Sequence, residues 1–490
     1  MKEKLKYIFI FLMFCLFQGI PLKGQEECTI GVALGSATSD GRPLLWKTRD
    51  YISAPNNTVK YETGTTYKFL YVANAEDTGS AWMGVNEHGF AIINSAISDL
   101  PTNKQGIGNG ALMKTVLGSC KTVTEFENYL KSTNKTGRST CANFAVMDTT
   151  GAAAIFETGG SVYYKFAATG STPYIIRTNF SIRGGGTTGI ERYNRSNTLI
   201  NNFWQGDSLN FKSILRYQMR DFSDDNSNPV NVPYEGIWAG GVPYGYIYCE
   251  KSICRTSSVS ATVIQGVKPS ENGRLSTMWT ILGQPATSIA FPLWPVGNTP
   301  IEVRENSNTS ALCDEALQIR DLLFDNSSFT DYINSFKLSN GQGGGLWSLL
   351  FHIEDSVLLR SKKYLDSIRS LPVLPVNSML TYEANCANRV LGELQKCKRA
   401  LENPVVTPLI ININKSIKIY PNPSNGKIYI DCGEEKKLKM KVFNILGECL
   451  TQNYLMNGIN EINIDFFLTG IYILQIYDEE KTIWRKIIKN

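Results

Sequence analysis

From Cys28 to about Leu293 the hydrophobic positions fall in short runs rich in β-branched and aromatic residues: CTIGVALG, FAIINSAI, NFAVMD, AAIFET, YIIRTNF, SATVIQGV and MWTILG. Clusters of Gly, Asn, Asp and Thr separate them, a pattern that predicts strands joined by turns. Two stretches in this region carry helical spacing instead. One runs from Leu112 to Lys131 through Leu112, Val116, Leu117, Val123, Phe126 and Leu130, with a capping box at Thr122 and Glu125; the other spans about Ile190 to Phe203. From Ser310 to Glu402 the apolar period lengthens into helical patterns (ALCDEALQIRDLLF, LWSLLFHIEDSVLLRSKKYLDSIRS, EANCANRVLGELQKCKRALE), broken by glycines 343 to 345, Pro372 and Pro375. These helices are expected to cover or extend the strand-rich region. Asn403 to Lys415 holds two prolines and no helical period, which reads as a linker.

Beyond it, the runs IKIY, KIYID, KMKVFNI, EINIDF, IYILQIYD and IWRKIIK alternate apolar and polar residues. Turns fall at Pro421 to Gly426, Asn457 to Gly458 and Thr469 to Gly470, so residues 416–490 predict a small all-β sandwich. YPNPSNG, VFNILGE, GIYILQIYD and the basic end at Lys486 and Lys489, in that order, resemble the C-terminal sorting domain of the type IX secretion system. The resemblance implies that the type IX machinery is a partner, that the destination is secretion or the cell surface by way of the periplasm, and that this module has no catalytic role.

The opposite end reads as an address. Lys2, Lys4 and Lys6 precede an apolar stretch from Tyr7 to Phe17, about half of the roughly 20 residues that a spanning helix needs, and Gly24 is small enough to precede a cleavage site. Residues 1–24 are therefore expected to be a signal peptide and no stable membrane span is expected. Residues 25–27 would remain as a short propeptide. Loss of residues 1–27 removes four lysines and three glutamates and takes the net charge from +5 to +4. So small and scattered a charge excludes a nucleic-acid partner.

Only two histidines, His88 and His352, occur in the chain, so a histidine base or a His-rich metal site has almost nothing to draw on. His88, in NEHG, is expected in an exposed turn; His352, on an apolar helix, at a core or interface position. Neither a metal nor a cofactor is expected. Of the eleven cysteines, Cys15 leaves with the signal peptide, and Cys249 with Cys254 could form a local disulfide in an oxidising compartment.

Cys28 lies just past the expected cleavage point and opens the first strand. Removal of Gln25 to Glu27 would make it N-terminal, and the α-amine, which titrates near 7.7 to 8.0, could then take the thiol proton without any histidine. Glu26 and Glu27 stand where lipoprotein processing needs small, apolar residues, which argues against a lipidated cysteine; a structural cysteine is the plain alternative.

Cys28 with its strand, the turn at Asp40 and Gly41, LLWKTRDY, GVNEHGFAIINSAI, FAVMDTTGAAAIFETGGSVYYKF, YIIRTNF and ERYNRSNTL, in this order, resemble the N-terminal-nucleophile cysteine hydrolases of the choloylglycine hydrolase and isopenicillin-N acyltransferase group, including exported carcinine hydrolase-like members. The resemblance covers about Cys28 to Trp294. It implies an α+β fold, a four-layer αββα sandwich over residues 28–300, with a helical extension over 301–402. It also implies roles: Asp50 holds the α-amine, Asn179 and Asn94 donate to the oxyanion, and Arg192 is the late active-site arginine, Arg195 being a surface or structural charge. The family pattern has an arginine three residues before the aspartate. Lys47 stands there, with Arg49 next to Asp50, and either cation would stabilise a thiolate. The expected activity is hydrolysis of a small linear amide through a thioester on Cys28, or transfer of the acyl group to an amine. A catalytically idle surface binding protein is the reading from another class. A homo-oligomer is compatible with all three. Trp82, Tyr163, Tyr164, Trp238, Tyr244 and Tyr246 are candidates for an acyl pocket.

Overall fold

The structure is a computed structural model that describes residues 27–102, 105–224, 230, 232, 245–339, 344–402, 417–433, 438–444, 449–478 and 482–490. The expected signal peptide, Gln25, Glu26, the whole of the expected linker, Trp238 and Tyr244 lie outside the described residues. The chain divides into two compact units, residues 1–404 and 405–490.

The first unit is built on two antiparallel sheets. Six strands, β1 (Glu27–Ala33), β2 (Leu44–Asp50), β10 (Tyr174–Arg177), β12 (Ser258–Gln265), β13 (Thr277–Leu282) and β14 (Phe291–Leu293), lie in the order β10-β1-β2-β12-β13-β14. Seven more run in chain order as a meander: β3 (Asn57–Thr63), β4 (Lys68–Asn74), β5 (Met83–Asn86), β6 (Ala91–Ile97), β7 (Cys141–Met147), β8 (Ala153–Thr158) and β9 (Tyr163–Ala167). The sheets face each other. Ile30, Val32 and Leu45 from one meet Leu70, Val85, Ile93 and Ile155 from the other in a shared core, while the alternate residues of the same strands point outward.

Helices cover both outer faces. On the seven-stranded sheet, α1 (Asn109–Leu117) and α2 (Val123–Thr136) lay Leu112, Val116, Phe126 and Leu130 on Phe90, Phe144 and Phe156. On the six-stranded sheet, α3 (Ile190–Gln205) brings Ile200, and the later helices bring Leu358, Leu365 and Met379, to Trp46, Trp279 and Trp294. The result is the four-layer αββα sandwich. Of the later helices, α4 (Ala311–Leu323) packs into the inter-sheet core, followed by α5 (Leu346–Ile368) and α6 (Val376–Glu402). A two-stranded ribbon joins β11 (Tyr246–Tyr248) to β15 (Tyr332–Asn334).

Some sequence expectations need correction. The single helix expected over 112–131 is two, because Gly118 meets Gly64 so closely that a Cβ on either would collide with the other's backbone, and the chain turns there. Thr122 accepts from the Glu125 amide, but the Glu125 carboxylate reaches Lys121 N at 2.7 Å and not the Thr122 N–H. His352 is exposed on α5, on the face opposite Leu350 and Val357, and not in a core. His88 is exposed in its turn, edge-on to Tyr67. Cys249 and Cys254 are separate buried thiols, so the local disulfide is not formed; burial pushes the Cys249 thiol up to about 12.

The second unit pairs a three-stranded sheet of β16 (Lys418–Tyr420), β17 (Lys427–Asp431) and β20 (Ile459–Asn463) with a four-stranded one, and Ile428, Ile430, Met440, Leu474 and Ile476 fill its core. The four are β18 (Leu438–Phe443), β19 (Cys449–Leu455), β21 (Gly470–Tyr477) and β22 (Thr482–Lys489). Strand β19 was not expected: CLTQNYL is mostly exposed and shows no apolar alternation.

Candidate active site

Cys28 is the second residue of β1 and fully buried, and its side chain faces the space between the sheets with Ile30 and Val32. Antiparallel register sets Arg49 directly opposite Cys28, Asp50 opposite Glu27 and Lys47 opposite Ile30. Directly paired residues share a face, so Arg49 is the cross-strand neighbour of the thiol, with Lys47 one pair further along the same face. Asp50, one residue on, points to the opposite face with Glu27. Strand β2 is buried at all seven positions although it carries Lys47, Arg49 and Asp50, an arrangement a purely structural strand would not favour.

Each charge has partners. Lys47 Nζ donates to Asn94 Oδ1 at 2.7 Å and to the Trp82 carbonyl at 3.2 Å. Arg49 Nη1 donates to Asn57 Oδ1 at 3.1 Å, and its guanidinium lies 4.9 Å from the Trp82 ring centre. Asp50 Oδ1 accepts from Ser258 at 2.6 Å, and Oδ2 lies 4.0 Å from Arg192. Burial pushes the Asp50 carboxyl up to about 6, against the pull of the Arg255 and Arg192 guanidiniums.

Asn179 follows β10 on a loop tied down from below. Asn143 Nδ2 donates to the carbonyls of Thr178 at 3.1 Å and Phe180 at 3.0 Å, and the buried Glu157 accepts from Arg177, Ile182 N and Arg183 N. So held, Asn179 Oδ1 accepts from the Cys28 backbone nitrogen at 2.9 Å and from Arg192 Nη2 at 3.0 Å; Nδ2 donates to the Ala96 carbonyl at 2.9 Å. Asp50, expected to hold that nitrogen, is turned toward Ser258 and Arg192. The chain described still carries Glu27, so nitrogen 28 is a peptide amide with one hydrogen, and Asn179 takes it.

Arg192 stands on the first turn of α3. Its Nη1 donates to the Cys28 carbonyl at 2.8 Å and its Nη2 to Glu27 Oε2 at 2.7 Å. Gly189, with φ +75°, caps that helix, and a Cβ there would sit 2.5 Å from Arg192 Nη2, so the close approach needs glycine. Arg195 pairs with Asp221 and is structural. Asn94 Nδ2 is a buried donor with no partner among the described residues. Asn86 instead ties the α1–α2 junction, donating to the carbonyls of Leu117 and Cys120.

Sequence reasoning missed Arg255, Ser258 and Glu250. Arg255 Nη1 reaches Glu27 Oε2 at 2.6 Å, Nη2 pairs with Glu250, and its backbone N–H donates to Ser258 Oγ at 3.1 Å. The two guanidiniums outweigh burial and hold the Glu27 carboxyl below its usual value. The one signal was an arginine just ahead of the apolar run SATVIQGV. Of the aromatic candidates, Trp82 touches this group; Tyr163 is bonded to Glu127, Tyr246 to Asp325, and Tyr164 is exposed. Among the described residues no cluster of three or more His, Cys, Asp or Glu is placed to hold a metal, and no helix is long and apolar enough to cross a membrane.

Comparison with curated proteins gives no match. Among solved structures the chain is similar to penicillin V acylase from Agrobacterium tumefaciens, at 15% identity and a TM-score of 0.36 over 55% of this chain and 86% of that one. It is also similar to a mutant form of the conjugated bile acid hydrolase from Clostridium perfringens, at 12% identity and a TM-score of 0.36 over 58% and 98%. Two family models match: residues 36–206 that of acyl-coenzyme A:6-aminopenicillanic acid acyl-transferase, and residues 418–490 that of the secretion system C-terminal sorting domain. The chain thus carries an acyl-transferase family domain within its αββα unit, followed by a secretion sorting domain.

Proposed function

We propose that this protein is an exported cysteine amidohydrolase whose nucleophile is the thiol of an N-terminal Cys28. The observation that carries the reading is the convergence of Arg49, Asn179 and Arg192 on residue 28, with Asp50 behind Arg192, in a chain whose histidines are both exposed. Once Glu27 is gone, the α-amine accepts the thiol proton, and Arg49 across the strand pair favours the thiolate. The sulfur attacks the amide carbon. Asn94 Nδ2, a buried donor left over among the described residues, and Asn179, by resemblance, serve the oxyanion. The carbon–nitrogen bond breaks as the leaving amine takes the proton from the α-ammonium, and water cleaves the thioester, restoring the thiol. Asp50 steadies the cluster through Ser258 and Arg192.

The matched family is named for acyl transfer, and an amine that reaches the thioester before water would give that outcome. The sorting domain supports delivery by the type IX machinery to the surface or beyond. The test is a panel of small N-acyl arylamides given to the secreted protein with and without an acceptor amine. Release of arylamine supports the reading, acylated acceptor extends it to transfer, and no release from any member overturns it.

A further inference from the structure

The Glu27 carboxylate is gripped by two arginines that come from distant parts of the chain, Arg192 on α3 and Arg255 ahead of β12, at 2.7 and 2.6 Å on the same oxygen. Their side chains are 1% and 8% exposed, while that of Glu27 is 32% exposed, so the cradle is a built, buried site with an open mouth. Arg255 Nε is buried with no partner among the described residues. Two guanidiniums here face three carboxylates, those of Glu27, Asp50 and Glu250.

Cleavage ahead of Cys28 would remove Glu27 and leave the α-amine in its place. The local balance of guanidiniums and carboxylates then moves from one negative charge to none, around two arginines that have lost a shared carboxylate. Buried guanidiniums so placed recruit an anion. The chemistry of self-cleavage says where that anion belongs. Cys28 Sγ would bond to the Glu27 carbonyl carbon, the carbon–nitrogen bond would break with the thiol proton passing to nitrogen, and water would release the propeptide. Glu27 is thus the first acyl group the nucleophile would carry, and three carbons separate its carboxylate from the reacting carbonyl.

Resting on the amidohydrolase reading above, we infer that the Arg192–Arg255 cradle is an acyl-side carboxylate subsite, selecting amides whose acyl part ends in a carboxylate at glutaryl or glutamyl length. The trimmed, secreted protein is given glutaryl, 4-carbamoylbutanoyl and pentanoyl amides of 7-amino-4-methylcoumarin. The expected result is a kcat/KM for the glutaryl amide at least about tenfold above both neutral ones, the least that a lost charge-assisted hydrogen bond is worth. Arg255→Gln should collapse that ratio and Arg255→Lys should keep part of it. In parallel, millimolar N-methylglutaramate should raise the melting temperature where N-methylpentanamide does not.

Neutral amides cleaved as well as the glutaryl one would overturn the subsite and leave the amidohydrolase standing. A preference that survives in Arg255→Gln overturns it equally, and the wild-type ratio decides alone should that variant not fold. A melting shift that needs Arg255, without hydrolysis of any amide, would keep the cradle and remove the enzymatic reading. Neither shift nor hydrolysis removes both.

Discussion

Replacing Arg192 by methionine removes the guanidinium that ties α3 to the start of β1. Its Nη1 meets the Cys28 carbonyl at 2.8 Å and Thr29 Oγ1 at 3.3 Å; its Nη2 meets Glu27 at 2.7 Å and Asn179 Oδ1 at 3.0 Å. Two of the four acceptors keep another donor, since Glu27 retains Arg255 at 2.6 Å and Asn179 Oδ1 retains the Cys28 amide at 2.9 Å. Their loss costs about 0.5–1.5 kcal/mol each, whereas depriving the buried Cys28 carbonyl of its short charged donor costs ~1–3 kcal/mol. Methionine fills much of the arginine stem, so the cavity adds little, and the net loss is about 2–6 kcal/mol. Lysine reaches fewer of the four acceptors with its single ammonium and should lose about half as much. Urea unfolding in the Cys28→Ala background, where every variant would keep Glu27, gives the stability difference. With Cys28 present, intact mass over time should show trimming slowed by both changes, methionine more than lysine. A methionine variant within about 0.5 kcal/mol of its parent, trimmed at the parental rate, would show that the grip of Arg192 on residue 28 does not matter.

Cys28→Ala should leave Gln25 to Glu27 attached and abolish activity, while Cys28→Ser trims slowly; a Cys28→Ala chain found trimmed at position 28 would assign the cut to another protease. The raised Asp50 carboxyl, about 6 against an ordinary 3.8, keeps its proton longer when folded. Its contribution is therefore complete below about pH 4 and is lost as pH rises through about 6, by up to roughly 3 kcal/mol. In the Cys28→Ala background, Asp50→Asn should lack that decline in denaturant unfolding followed from pH 4 to 7. Asn94→Ala should lower kcat by about 10²–10³, as for a lost oxyanion donor, with KM little changed; Asn86→Ala should instead lower the melting temperature and spare kcat. A chain ending at Pro404 lacks the second compact unit; it should still be trimmed and active in cell extracts but no longer reach the surface or medium.

Much of the catalytic unit was legible because its strands advertise themselves. A run such as FAIINSAI must bury both faces in a sandwich with helices outside, and Ile92 and Ile93 do point to opposite layers. Cys28 could be picked out by its place just past the expected cleavage point, and Asp50, Asn179 and Arg192 only through the family resemblance; they lie near one another because β1 lies between β2 and β10. Arg255 and Ser258 could not, since an arginine in a loop reads as solvated until a strand pairing more than 200 residues away sets it against Glu27. The choice between Lys47 and Arg49 needed the register of β1 on β2, which no spacing supplies. His352 is not a core residue although its sequence neighbours are apolar, because it lies on the face of its helix turned away from Leu350 and Val357.

Whether Cys28 works as a free N-terminal nucleophile is decided by the mass of the N-terminal peptide from secreted, active protein quenched in acid during turnover. The peptide should begin at Cys28 and carry, in a fraction of molecules, the acyl group of the substrate as a hydroxylamine-labile thioester. An active protein whose chain still begins at Gln25 or earlier would rule out the α-amine as the base.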